Sequence, residues 1–361
     1  MKLSDQNILF FTRTMKLGGT ENVILQLCEI FKPLVHNIVV CSCGGVNVKK
    51  LSDMGITHYE IPDLTIKRPK EIFQVCCRLR KIIHDEKITV VHSHHRMAAL
   101  YANLIAPKKI IKIANAHNTF YDKKKLTKIA YKNTKIITVG EMVKKNLVEY
   151  FKIPQKQITV IHNAVKEFKD PIVKDERIEE LHKQGYFVVG NVGRLSEQKG
   201  MEYYLRAISK VIVICPETRF VIVGTGEDEQ KLLGLARKLK IEDYLLFMGY
   251  RSDIQNLMKQ LDLIVLSSLW EGLPLTPIEA FSVSKTIVAT AVDGTIEIVK
   301  SGENGYLVEP KNSDEIADKI VFLIEHPELM RKLEKNARDR YITEFSFEKL
   351  KERYIQLYEW L

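Results

Sequence analysis

Two glutamates separated by seven residues, Glu271 and Glu279, are the groups best placed to do chemistry in this chain of 361 residues. They bracket Gly272-Leu273-Pro274-Leu275-Thr276-Pro277-Ile278, which reads as a turn leading into a helix. Thr276 suits the N-cap and Pro277 the first helical position, where a missing N–H costs nothing. The free backbone N–H groups of such a helix start attract phosphate. A purely structural role is open to Glu279, because Thr276 and Glu279 have capping-box spacing. Neither cap nor turn chemistry asks for Glu271. It follows the apolar run Leu263-Ile264-Val265-Leu266, and open α/β sheets bind ligands beyond the carboxyl ends of their strands.

Positive charge for an anionic ligand comes from Gly193-Arg194-Leu195-Ser196-Glu197-Gln198-Lys199-Gly200, a loop after the apolar run ending at Val192. As surface charges Arg194 and Lys199 would mean little. Flanked by glycines at a strand end, they read as a diphosphate clamp. Gly18 and Gly19, between the first apolar run and the first helical stretch, let the backbone approach a ligand closely. The stretch Val223-Gly224-Thr225-Gly226 lacks the third glycine of a dinucleotide fingerprint, and Glu227-Asp228-Glu229 would repel phosphate, so NAD is discounted. His117 follows the run Ile110 to Ala114 and is either a hydrogen-bonded loop residue or a catalytic one. His92, His94 and His95 cluster without a second ligand group at zinc spacing, and no metal is expected.

The elements that must position these residues alternate along the chain. Ile- and Val-rich runs at 7–11, 36–42, 88–92, 110–115, 135–139 and 158–161 are separated by amphipathic stretches such as Glu21 to Phe31 and Glu71 to His84. Runs at 186–192, 219–224, 244–248, 261–266 and 286–290 restart the pattern. This predicts an α/β fold with parallel sheets wrapped by helices. The length favours two domains, 1–165 and 166–344, with a polar linker over 162–185 and a cleft between their strand ends. A tail helix over 345–361, with Phe347, Leu350, Tyr354, Leu357 and Leu361 near one face, is expected to pack back on the first domain.

With 45% hydrophobic and 28% charged residues, the composition is that of a soluble globular protein. No apolar run is long enough to span a bilayer, and the start of the chain reads as a strand, not a signal peptide. The six cysteines lack framework spacing, which is reduced, cytosolic usage. The net charge of +10 is uneven: residues 1–165 hold all the positive excess. Phe120-Tyr121-Asp122-Lys123-Lys124-Lys125, continuing through Lys128, is either a solvated helix face or a contact for an anionic membrane surface. The lysines are not interleaved with stacking aromatics, so nucleic acid is set aside.

Taken in order, the motifs resemble the retaining glycosyltransferases of family 4. They are Gly18-Gly19-Thr20-Glu21, His92-Ser93-His94, Val160-Ile161-His162-Asn163-Ala164-Val165, Gly193-Arg194 with Lys199-Gly200, Val223 to Gly226, Glu271 to Glu279, and Gly302-Glu303-Asn304-Gly305-Tyr306-Leu307-Val308. The resemblance covers nearly the whole chain and implies a GT-B architecture, two Rossmann-like domains facing across a cleft. It implies that Glu271 binds the hydroxyls of the donor sugar and Glu279 the ribose. It also places Leu275 and Thr276 N–H at the diphosphate beside Gly272 and Leu273, with Arg194 and Lys199 neutralising it and Gly18 and Gly19 closing over it. His117 matches the family histidine near the transferred sugar. The usual Pro-Asn-Gly of the linker is replaced by His162-Asn163-Ala164, which alters the hinge and leaves the site residues intact.

A sugar leaving a diphosphate develops negative charge on the departing oxygen, so fixed cations and N–H dipoles are expected to supply the largest catalytic effect. The chain contains no Asp-x-Asp, and metal independence is expected; the nucleotide-sugar is a substrate and no cofactor is implied. The expected activity is transfer of a sugar from a nucleotide-diphosphate donor, taken as a UDP-sugar, to a lipid-linked or polysaccharide acceptor by a cytoplasmic protein peripheral to the membrane. A non-catalytic nucleotide-sugar binding protein and a sugar-nucleotide epimerase are the alternatives.

Overall fold

Strands buried on both faces favour β-branched side chains throughout, and the Ile- and Val-rich runs form such strands. In the computed structural model, which describes residues 2–360, the first are β1 (Asn7–Phe11), β2 (Asn37–Ser42), β3 (Thr57–Glu60), β4 (Val90–Ser93), β5 (Ile111–Ala116), β6 (Lys135–Thr138) and β7 (Ile158–Val160). They make one seven-stranded parallel sheet in the order β3-β2-β1-β4-β5-β6-β7. A second, six-stranded parallel sheet contains β8 (Phe187–Val192), β9 (Thr218–Val223), β10 (Leu245–Phe247), β11 (Leu263–Leu266), β12 (Ile287–Thr290) and β13 (Tyr306–Val308) in the order β10-β9-β8-β11-β12-β13. Both orders reverse direction beside the first strand of the sheet, the topology of a doubly wound Rossmann-like fold.

The chain divides into two units, one running to Asn163 and completed by the segment from Leu350, the other Ala164–Lys349. Helices cover each sheet. In the first unit Leu9, Val39 and Val91 of the sheet pack with Val75, Leu79 and Ile82 of the helix Pro69–Asp85. In the second, Val189, Phe220 and Val265 pack with Leu205 and Ile208 of the helix Met201–Ile214 and Ile320 of the helix Ser313–Glu325.

Four features differ from the sequence expectation. β3 is an edge strand whose residues Thr-His-Tyr-Glu are exposed or half-buried, so no apolar run announces it. β13 has only three residues, too few for a period. The stretch read as linker contains the helix Glu176–Lys183, capped by the Asp175 side chain accepting from Arg177 N–H. Only Ile178 of that helix is buried, which is why no amphipathic pattern showed. The tail helix spans Phe347–Glu359 and buries Leu350, Tyr354 and Tyr358, with Leu357 only half-buried; Leu361 lies outside the described residues.

Candidate active site

In the second sheet the order reverses between β8 and β11, so the loops that follow these strands lie side by side. They are laced together. Asn191 Nδ2 donates to Ser267 Oγ (3.0 Å), Ser267 Oγ to Lys199 O (2.9 Å), Leu269 N–H to Gln198 O (2.7 Å) and Gln198 Nε2 to Trp270 O (3.0 Å). Gly200 sits at φ +55°, and a Cβ there would fall 2.3 Å from Ser267 O. Left-handed backbone and a collision with a carbonyl both exclude a side chain. Gly200→Ala is therefore expected to destabilise the protein by about 1–3 kcal/mol, read as a lower midpoint in a circular-dichroism melt. An unchanged midpoint would mean that the loops are not in contact.

This lacing brings Lys199 to Glu271. Glu271 is buried, 8% exposed as a whole residue, and its Oε1 accepts from Lys199 Nζ at 2.6 Å and from Ser268 Oγ at 2.7 Å. Its backbone N–H donates to Asp293 Oδ2 at 3.0 Å. Among the described residues nothing donates to Oε2, so that oxygen can accept from a ligand hydroxyl. Asp293 holds a positive φ of 34°, and Gly294 lets Gly272 O approach to 2.0 Å from where a Cβ would stand. Sequence reasoning missed Ser268, Asp293 and Gly294 as supports of Glu271; the Asp-Gly pair is a turn signal that could have drawn attention to the last two.

The helix after Glu271 spans Leu275–Ser282, and this corrects the expected cap. Pro274, extended at φ −68° and ψ 139°, is the N-cap, Thr276 is the second helical residue, and no side chain caps the helix. The capping box does not form, because Thr276 is not in the capping position; its hydroxyl points to Val192 O at 3.5 Å. The N–H groups of Leu275 and Thr276 thus have no intrahelical partner and no side-chain cap. Glu279 is partly buried; its backbone carbonyl accepts from Ser282 Oγ at 2.6 Å, and no described group hydrogen-bonds or ion-pairs with its carboxylate. Burial pushes its pKa up to about 7, with the charge of Lys199 pulling the other way. Arg194 is exposed and makes no ion pair among the described residues.

Two other loops in this unit explain their own residues. Gly224, at φ +140°, and Gly226 would place a Cβ within 2.0 Å of Gly193 O and 2.2 Å of Leu195 O, so these glycines serve the close approach of two loops. Arg251 is held by Asp175 at 2.6 Å and Asp253 at 2.8 Å. In the loop Gly249 to Ser252 this leaves Tyr250, 61% exposed, and the exposed Ser252 as the side chains open to a ligand.

In the first unit Gly18 precedes and Gly19 begins the helix Gly19–Phe31, again with no side-chain cap. Glu21 is held by the Thr14 hydroxyl at 2.6 Å, and a Cβ on Gly18 would meet its Oε2 at 2.5 Å. His117 follows β5, and its Nε2 lies 3.3 Å from Nδ1 of His94, which follows the neighbouring β4. Burial pushes the His117 pKa down to about 3, so the ring is neutral. His95 caps the helix Arg96–Ile105 by accepting from Met97 N–H. Among the described residues no group of three or more His, Cys, Asp or Glu is placed to hold a metal ion.

The lysine run begins the helix Lys124–Ala130. Lys123 lies 3.7 Å from Asp122, Lys124 sits over the Tyr150 ring, and Lys125 and Lys128 are exposed. No described helix is long and apolar enough to cross a membrane.

Two Rossmann-like parallel sheets with a basic, glycine-flanked loop and an uncapped helix start at the switch point of the second define the GT-B class of proteins. Residues 17–167 match the family described as Glycosyltransferase Family 4, and residues 173–340 match Glycosyl transferases group 1. The chain belongs to glycosyltransferase family 4. It is 27% identical to the Escherichia coli UDP-Gal:alpha-D-GlcNAc-diphosphoundecaprenol alpha-1,3-galactosyltransferase, over 94% of each chain. HepE of Anabaena, crystallised with UDP-glucose, has a TM-score of 0.84 at 20% identity, covering 98% of this chain and 100% of that one. The lipopolysaccharide outer core galactosyltransferase WaaB has a TM-score of 0.78 at 19% identity, covering 99% and 100%.

Proposed function

We propose that the protein is a retaining, metal-independent hexosyltransferase that moves a sugar from a UDP-sugar to a lipid-linked or polysaccharide acceptor at the cytoplasmic face of a membrane. The observation that carries this reading is the Lys199–Glu271 pair beside the uncapped N–H groups of Leu275 and Thr276. Cations, helix N–H groups and hydroxyl acceptors are what a diphosphate and its two sugars require. The names of the Escherichia coli galactosyltransferase and the UDP-glucose complex of HepE support the choice of uridine and of a lipid-linked acceptor.

In this reading Arg194 and Lys199 neutralise the diphosphate, and the Leu275 and Thr276 N–H groups bind its oxygens beside Gly272 and Leu273. Glu271 Oε2 accepts from the donor sugar and Glu279 from the ribose. Gly18, Gly19 and His117 serve the same reaction, His117 by supporting the transferred sugar. The incoming hydroxyl attacks the face from which the diphosphate departs, and the diphosphate accepts its proton. Arg194 and Lys199 supply the positive charge that a metal would otherwise bring, so transfer is expected to survive EDTA.

A thermal-shift screen of UDP-, GDP- and ADP-sugars tests the nucleotide. A ligand at 100 times its dissociation constant stabilises by about 2.7 kcal/mol. UDP-sugars are expected to raise the melting temperature of the wild type and to lose that effect in Glu279→Ala. A shift confined to GDP- or ADP-sugars would refute the uridine assignment. Flotation with vesicles tests the membrane contact: neutralising Lys123, Lys124 and Lys125 should weaken binding to anionic vesicles, at roughly 1 kcal/mol per charge.

A further inference from the structure

A row of rings crosses the first unit beside the ends of β4 and β5, and it contains one fully paired histidine, His92, and two half-paired ones, His94 and His117. His92 Nδ1 meets the Tyr358 hydroxyl at 2.8 Å and its Nε2 meets Asn115 Oδ1 at 2.8 Å, while Asn115 Nδ2 donates to the Tyr354 hydroxyl at 2.7 Å. An amide oxygen can only accept, so His92 carries its proton on Nε2 and accepts from Tyr358. His94 packs against His92 with ring centroids 4.5 Å apart and is 2% exposed. Its Nδ1 contacts His117 Nε2 at 3.3 Å, and its Nε2 is buried with no partner.

Burial lowers the pKa of both His94 and His117, so the two rings are neutral and share one proton across the contact. Were His117 the donor, His94 would carry its own proton on Nε2, an orphaned N–H in the interior. Such donors are rare in folded proteins. With His94 as donor, only a lone pair is left unmatched.

We infer that His94 is a positioning residue that donates Nδ1–H to His117 Nε2, leaving His117 a neutral donor through Nδ1–H toward an oxygen of the transferred sugar. No described residue accepts from that Nδ1. The inference rests on reading His117 as a sugar contact and goes further by assigning the atom, the tautomer and the group that sets it. A His117 held in this way is not a base at Nε2. The C-terminal helix shares the task, because Tyr354 and Tyr358 lock the His92–Asn115 pair against which His94 packs.

Long-range proton–nitrogen correlation spectra of protein carrying 15N-histidine test the assignment, with turnover of the UDP-sugar giving the largest thermal shift measured alongside. Wild-type His117 is expected in the Nδ1–H tautomer. His94→Asn, whose amide nitrogen stands where Nδ1 stood, should keep that tautomer and near-normal kcat. His94→Leu should lose it and lower kcat about tenfold, the worth of one hydrogen bond. A wild-type His117 protonated on Nε2 overturns the inference, and so does a folded His94→Leu enzyme with normal kcat. His117→Ala separates the underlying reading: unchanged turnover in that variant removes the sugar contact, whatever tautomer the spectra give.

Discussion

Lys199→Ala is expected to lower sugar transfer by about 10²- to 10³-fold, the usual effect of losing one preorganised donor at a developing charge. Lys199 has two roles that this substitution removes together. In the proposed reaction it faces the diphosphate, where negative charge grows as the sugar departs. In the folded chain it is also the 2.6 Å partner of Glu271, whose side chain is 7% exposed. Removing one member of a buried pair leaves the other uncompensated, at a cost of roughly 3–5 kcal/mol. The variant should therefore melt earlier as well as turn over slowly. Lys199→Ala with Glu271→Gln separates the two effects: neutralising the stranded carboxylate should restore much of the melting temperature and none of the activity. A double variant no less active than Glu271→Gln alone would show that Lys199 acts only by holding Glu271.

Glu279→Gln is expected to abolish a pH dependence as well as to weaken nucleotide binding. Burial raises the Glu279 pKa to about 7, against about 4.3 in an unfolded chain. Between these values the folded state holds the proton and the unfolded state does not. The stabilisation from a protonated Glu279 is therefore complete below the unfolded value and is lost as pH rises through 7. A carboxylate gripping ribose hydroxyls must be ionised, so UDP binding below pH 7 should expel a proton, and affinity should climb with pH and level off above 7. A hydrogen bond to a charged group contributes about 1.5–3 kcal/mol, so Glu279→Gln should weaken binding roughly ten- to hundredfold at pH 8. Titration calorimetry at pH 6 and 8, in two buffers with different ionisation heats, reads both effects. Proton release that persists in the variant would assign it to another group.

The alternation of apolar runs was enough to read the two sheets, because buried parallel strands need β-branched residues on both faces. It failed at β3, whose Thr57–Glu60 lies at an edge, and at the helix Glu176–Lys183, which buries a single residue. Glu271, Arg194 and Lys199 were legible as candidates because glycines and strand ends surround them. Their supports were not. Ser268 and Asp293 reach Glu271 through a hydroxyl and a turn, and nothing in local spacing announces such tertiary contacts. The misplaced cap has a local cause: Thr276 and Pro277 suit the start of a helix, but Pro274, in extended conformation, ends the turn two residues earlier. The expected capping role of Glu279 falls with it, which leaves a carboxylate that burial keeps near neutrality and that helix geometry does not need.

A crystal structure of the protein soaked with UDP tests the central claim most directly. The account predicts the diphosphate at the amino end of the helix Leu275–Ser282, within reach of Arg194 and Lys199, with the ribose hydroxyls on Glu279 and Oε2 of Glu271 left open for the sugar. A diphosphate bound elsewhere, for instance on the Gly224–Gly226 loop, with Glu279 untouched, would contradict it.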